Sequence, residues 1–249
     1  MKRRQILVGV GATGMGALAG CLGSARDDYP WPVVDSEALE GWDPLSERTD
    51  EYAVSYRGID ALSVHERTHR YDYTPLRESV VALSNGEIDR SLARFVASRL
   101  TIEGIGRRFV TSERLVDDAM RGIESRFSAR NVESVERIEP GEPAPNIEGE
   151  LVEYRGETDV PPFSREFDAY GVSMTVEFAG EPLDTEGIFA VWKPAVDTAY
   201  VAGGMYPAAD ALETLVPGAA GIDLVDALDL PFDPAEFRSE IVSLVEATG

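Results

Sequence analysis

Apolar positions recur at every second residue over much of this chain and at three- to four-residue steps in a few stretches. The first spacing lines one face of a strand, the second one face of a helix. Tyr52–Arg57 reads as a strand closed by Gly58, and Ala61–Tyr73, rich in Val, Thr, His and Tyr, as a longer one. Thr74-Pro75 marks a turn or a helix start, and Leu76–Leu83 fits either state. Ile88, Leu92, Phe95, Val96 and Leu100 fall close to a helical stripe, so Ile88–Leu100 reads as helix. Glu113–Ser128 is the clearest helix: Leu115, Ala119, Ile123 and Phe127 share a face, Ser112 can cap it, Glu113 suits its positive end and Asn131 can close it.

Val132–Ile138 alternates as a strand, and Pro140 to Pro145 form a turn region. Four further strands are expected at Glu148–Tyr154, Ser164–Ala179, Gly187–Lys193 and Thr198–Met205. A short helical turn is expected at Ser36–Glu40, and short helices at Asp210–Val216 and Asp223–Leu228. Asp233-Pro234 opens a last helix whose apolar face is Phe237, Ile241, Leu244 and Val245. Strands, a middle helix, an antiparallel run and terminal helices predict an α+β fold: one domain over residues 33–249, an antiparallel sheet with helices packed against it.

The first residues follow another pattern. Met1-Lys2-Arg3-Arg4-Gln5-Ile6-Leu7 precedes an uncharged glycine-rich run that ends in Leu18-Ala19-Gly20-Cys21. That run is shorter than the roughly 20 apolar residues of a membrane span, and its glycines weaken it as a helix. Arg3 and Arg4 fit a twin-arginine export signal over residues 1–20, and Cys21, the only cysteine, fits a lipid attachment site. Residues 21–32 read as a flexible tether to the membrane. With one cysteine no internal disulfide can form.

Charge then changes the picture. Asp and Glu total 45 against 23 Lys and Arg, a formal net charge of −22, and Lys2 and Lys193 are the only lysines. Such a surplus repels itself in dilute buffer and is screened at molar salt, where the Debye length is about 3 Å. The balance fits a protein of an extreme halophile, an archaeon above all. It disfavours nucleic-acid binding, which needs a basic patch. At 43% hydrophobic residues the chain has the material for a core.

The signal through Cys21, the Gly106-Arg107-Arg108-Phe109 group and the strand Tyr200-Val201-Ala202-Gly203-Gly204-Met205-Tyr206-Pro207 together resemble a family of short haloarchaeal lipoproteins known only as a domain of unknown function. The likeness runs to Pro207, and the tail from Asp210 to Gly249 is longer than the resemblance leads one to expect. It brings no catalytic residues with it.

His65-Glu66-Arg67-Thr68-His69 matches H-E-x-x-H, which on a helix binds zinc through both histidines while the glutamate activates water. Here the β-forming neighbours Val64, Thr68, Tyr71 and Tyr73 favour a strand, on which the two histidines stand about 13 Å apart. Arg67 and Arg70 also put charge where the zinc helix has uncharged residues, and Glu87 and Asp89 are merely nearby as further ligands. Asp223, Asp226, Asp229 and Asp233 fit a salt-hydrated face better than a Ca²⁺ or Mg²⁺ site. Trp192-Lys193 reads as structural. No metal, cofactor or catalytic set is therefore assigned. The expected function is a non-catalytic, lipid-anchored binding or interaction module on the outer face of the cytoplasmic membrane. It has an unknown protein or small-molecule partner. The alternatives are a zinc hydrolase using His65, Glu66 and His69, or a carrier of an apolar molecule.

Overall fold

The computed structural model describes residues 29–56, 59–111, 114–119, 121–122, 132–138, 149–169, 172–178, 180, 182–208, 211 and 233–249. The strands are β1 (Trp42–Tyr56), β2 (Ile59–Tyr73), β3 (Arg94–Glu103), β4 (Val132–Ile138), β5 (Glu150–Thr158), β6 (Phe163–Ala169), β7 (Val172–Phe178), β8 (Leu183–Ala195) and β9 (Thr198–Pro207). The helices are α1 (Thr74–Leu83), a 3-10 turn at Ile105–Phe109, and α2 (Pro234–Glu246). Residues 114–119 and 121–122 are also helical. Seven strands form one antiparallel sheet in the order β1-β2-β3-β9-β8-β5-β4, and β6 and β7 form a separate hairpin. Among the described residues no helix is long and apolar enough to cross a membrane.

Both faces of the large sheet are covered. One face joins Trp42, Tyr71, Phe95, Ala97, Ile188, Ala190, Ala202 and Tyr206 to Leu76 and Val80 of α1 and to Phe237, Ile241, Leu244 and Val245 of α2. The opposite face gathers Val152, Tyr154, Phe189 and Val191 with Val116 of the middle helical residues. The apolar face expected for the last helix is thus the one that α2 buries. Asp233 accepts the first helical bond, its carbonyl receiving the Phe237 N–H at 2.9 Å.

Close approach of α2 depends on β9. A side chain at position 204 would strike Ile241 Cδ1 and the Arg94 carbonyl, so only glycine lets the helix rest on bare sheet. Beyond α2 the chain turns back: Thr248 Oγ1 donates to the Leu244 carbonyl at 2.7 Å. Gly249 and Val33 then exchange two backbone hydrogen bonds of 2.7 and 2.8 Å. This bridge directs the N-terminal segment over β2 on the same sheet face as α2, beside the helix, with Tyr29 against His65 and Trp31 against His69. Tyr29 to Pro32, expected as the end of the tether, pack there.

The expected antiparallel sheet with helices packed against it is present, and among the described residues sheet dominates and helices are the minor part. Three expectations need correction. Ile88–Leu100 is not a helix: Ile88 and Leu92 are buried in a connecting segment, and β3 begins at Arg94. As an inner strand covered on both faces, β3 carries apolar side chains on each, and a short apolar run of this kind imitates a helical stripe. Ser164–Ala179 is not one strand but the hairpin β6–β7, paired from Phe163↔Phe178 to Ala169↔Val172. The first strand starts at Trp42, ten residues before its expected start. β1 is an edge strand, so it accommodates Pro44 and the bulge beside it without losing a central ladder bond. Of the middle helix, Ile123 to Ser128 lie outside the described residues. At its start the Thr111 hydroxyl accepts the Arg114 N–H at 3.3 Å. The Pro140 to Pro145 turn and the helices expected at 212–216 and 223–228 also lie outside them.

Gly204→Val should lower stability by ~1–3 kcal/mol, the usual cost of overpacking. Thermal unfolding in molar salt measures it. Gly122→Ala, in a helical position with open space around it, should leave stability unchanged or slightly raised.

Candidate functional site

β2 carries H-E-x-x-H as an extended strand, with His65 opposite Thr101 and His69 opposite Ala97 of β3. Strand alternation puts both histidines on the face that also bears Arg67, and Glu66 on the other. The histidines are not solvated, as a plain exposed strand would have them. Tyr29 stacks on His65 with ring centroids 4.0 Å apart, and Trp31 lies 4.9 Å from His69. Their side chains are 14% and 24% exposed. Trp31 also receives the Arg67 guanidinium at 4.7 Å from its ring centroid. Next along the sheet, Arg99 lies over Tyr200 at 5.5 Å, and Tyr200 stacks with Trp192 at 5.2 Å.

Glu66 enters a separate network on the opposite face. Its carboxylate accepts from Tyr52 Oη at 2.9 Å, from Ser98 Oγ at 3.1 Å and from Thr68 Oγ1 at 3.2 Å. A strand between them keeps this carboxylate from any water that the histidines could hold. Asp89 is engaged with Arg77 at 2.7 Å, and Glu87 is exposed. Among the described residues no three His, Cys, Asp or Glu side chains are grouped to hold a metal ion. Arg3, Arg4 and Cys21 lie outside the described residues, as do Asp223, Asp226 and Asp229. Lys193 has a structural contact: its ammonium donates to the Val110 carbonyl at 2.7 Å, and burial pushes its pKa down.

A concave feature lies elsewhere. An open groove of about 660 Å³ runs between residues 38–42 and α2, lined by Ala38, Glu40, Trp42, Glu236, Ser239, Glu240 and Ser243. Glu236 and Glu240 stand one helical turn apart and so share an α2 face. Trp42 is wedged among Tyr73, Phe95 and Phe237 and forms the apolar floor. Burial pushes the Glu240 carboxyl up, the Trp42 indole N–H that it accepts opposes this, and Glu236 adds to the rise. The groove can therefore take a group that brings positive charge and a flat or apolar body. The sequence reading missed it because Glu40 and Trp42 come together with α2 only through the tertiary fold. The Glu236 and Glu240 spacing was the one available signal. The aromatic density of Tyr29-Pro30-Trp31-Pro32 was likewise a sign that this segment packs.

Two consequences can be measured. Glu66→Ala leaves the hydroxyls of Tyr52, Thr68 and Ser98 without their common acceptor and should cost ~1–3 kcal/mol in thermal unfolding. A carboxyl whose folded pKa is raised binds its proton more tightly in the native state, so stability falls as pH rises from the ordinary value through the raised one. Glu240→Gln should remove that fall and raise the melting temperature at neutral pH relative to the parent, read from paired unfolding curves between pH 4 and 8.

Comparison with known proteins adds the family. No curated protein matches the chain at a significant level. Among solved structures it is similar to the di-domain ARO/CYC protein BexL, at 13% identity over 87% of this chain and 77% of that one, with a TM-score of 0.18. It is similar also to the di-domain ARO/CYC protein StfQ, at 12% identity over 83% of this chain and 86% of that one, with a TM-score of 0.14. Neither superposition is close enough to bear on fold or activity. The family model that does match spans residues 31–249, so the tail beyond Asp210, expected to exceed the family, is part of it. The chain belongs to the family described as domain of unknown function DUF6517.

Proposed function

We propose that this protein is a non-catalytic binding module, exported by the twin-arginine route and held by a lipid on Cys21 at the outer face of the cytoplasmic membrane of a halophilic archaeon. The observation that supports a binding role is the acidic groove over Trp42, where Glu40, Glu236 and Glu240 surround an aromatic floor. A ligand bearing a guanidinium or alkylammonium group meets both requirements of that groove. The signal, the lone cysteine and the charge of −22 support the location and the salty surroundings. Against the zinc hydrolase stands the strand geometry of β2, which sets His65 and His69 about 13 Å apart and turns Glu66 away from both.

Calorimetric titration with arginine amide should give saturable binding to the parent protein and none to the Glu236→Gln/Glu240→Gln double variant. Binding that is equal in the two would remove the groove from consideration. Metal analysis of protein purified without chelator should find no stoichiometric zinc. One zinc per chain that disappears in His65→Ala would restore the hydrolase.

A further inference from the structure

One end of the large sheet collects features that fit a lipid surface. Among the described residues five large apolar side chains are exposed, and three of them lie at this end: Ile105 at 81%, Phe109 at 79% and Val196 at 53%. Ile105 and Phe109 close the two ends of the 3-10 turn that follows β3, and between them stand Arg107 and Arg108, both exposed. Val196 sits in the β8–β9 turn, beside the end of β3, where the Ile102 N–H donates to the Asp197 carbonyl at 2.8 Å. Adjacent arginines flanked by exposed apolar residues, in a chain with a net charge of −22, make a local inversion of the surface. Of the neighbouring carboxylates, Glu103 faces His65 at 3.8 Å, and Asp197 accepts from Thr198 at 3.3 Å.

The turn is held in place. Gly104 has φ +100, and a side chain there would run into the Ala61 carbonyl, which fixes the start of the turn against β2. Lys193 fixes its exit through the Val110 carbonyl. A rigid projection keeps its exposed apolar groups out of the protein's own core.

The described chain begins near the same end. Tyr29 stacks on His65, which pairs with Thr101, two residues before Glu103. From Tyr29 the chain runs along β2 away from this end, through Trp31 over His69. Eight residue steps separate Cys21 from Tyr29, so the Cys21 sulfur lies within about 28 Å of Tyr29 even at full extension. A lipid on Cys21 would thus hold the protein through a segment that joins the described residues near this end of the sheet.

We infer that Ile105, Phe109 and Val196 form a second, non-covalent membrane contact. The three apolar side chains enter the headgroup region of an anionic bilayer, and Arg107 and Arg108 meet its headgroups. The orientation rests on the lipid anchor proposed above; the contact itself does not. One lipid chain holds a protein weakly, and a second contact is what makes attachment stable. At molar salt the arginine attraction is screened and the apolar part carries the binding.

The test uses the full chain with Cys21→Ser, so that no lipid contributes, and vesicles of phosphatidylglycerol in 2 M KCl. Co-sedimentation is expected, with affinity reduced roughly tenfold or more in Ile105→Asp/Phe109→Asp. Both positions are exposed, and unchanged thermal unfolding checks that the fold survives. A Phe109→Trp reporter should shift its emission to the blue when vesicles are added. Equal sedimentation of parent and double variant overturns the inference, and so does absence of binding by the parent. Self-association without vesicles that the double variant abolishes also overturns it, by making the tip a contact between copies. The anchor is read separately, from the mass of the Cys21 peptide in the native membrane fraction; an unmodified cysteine there refutes the anchor while leaving vesicle binding intact.

Discussion

The contact between Ile241 and the bare backbone at Gly204 governs much of the molecule. β9 is a central strand, and a helix can lie this close to it only where no side chain intervenes. With α2 seated, Phe237, Leu244 and Val245 close the core over Trp42 and Phe95, and the last residues reach Val33. That bridge directs residues 29–32 onto β2. The same seating places Glu236 and Glu240 across from Glu40 and Trp42, which creates the groove. Core, groove and the path of the N-terminal segment are thus consequences of one close approach.

Charge is distributed by the sheet rather than by the sequence. Arg67 and Arg99 stand directly opposite one another on β2 and β3, a pairing of like charges that a sheet ordinarily avoids. Each finds an aromatic face, Trp31 for one and Tyr200 for the other. On the opposite face Asp72 is buried and bonds to Arg77, and nearby Arg94 has its pKa pushed down by burial. Arg67 and Asp72 are buried, so their interactions are screened by salt less than those of the acidic surface.

Legibility in the sequence followed exposure. β2 was readable from its β-forming composition although both of its faces are covered, and the apolar face of α2 was readable because that helix buries one side, where period reports secondary structure directly. β3 was misread because both of its sides are covered and alternation vanishes. The β6–β7 hairpin was hidden because its two strands follow closely in the chain and share one β-forming composition. H-E-x-x-H was readable as a strand, but the covering of its histidines by Tyr29 and Trp31 was not, since those residues stand more than thirty positions away in the chain.

By itself the sequence determined the strand-rich pattern, the acidic surplus, the lone cysteine and the separation of His65, Glu66 and His69, all of which depend on residues near in the chain. Tertiary structure decided what those residues face. It joined Glu40 and Trp42 to α2 across nearly two hundred residues, and it set Val196 beside the Ile105–Phe109 turn. It also brought the start of the described chain to that same end of the sheet. Such juxtapositions follow from strand order and helix seating, and no local periodicity encodes them.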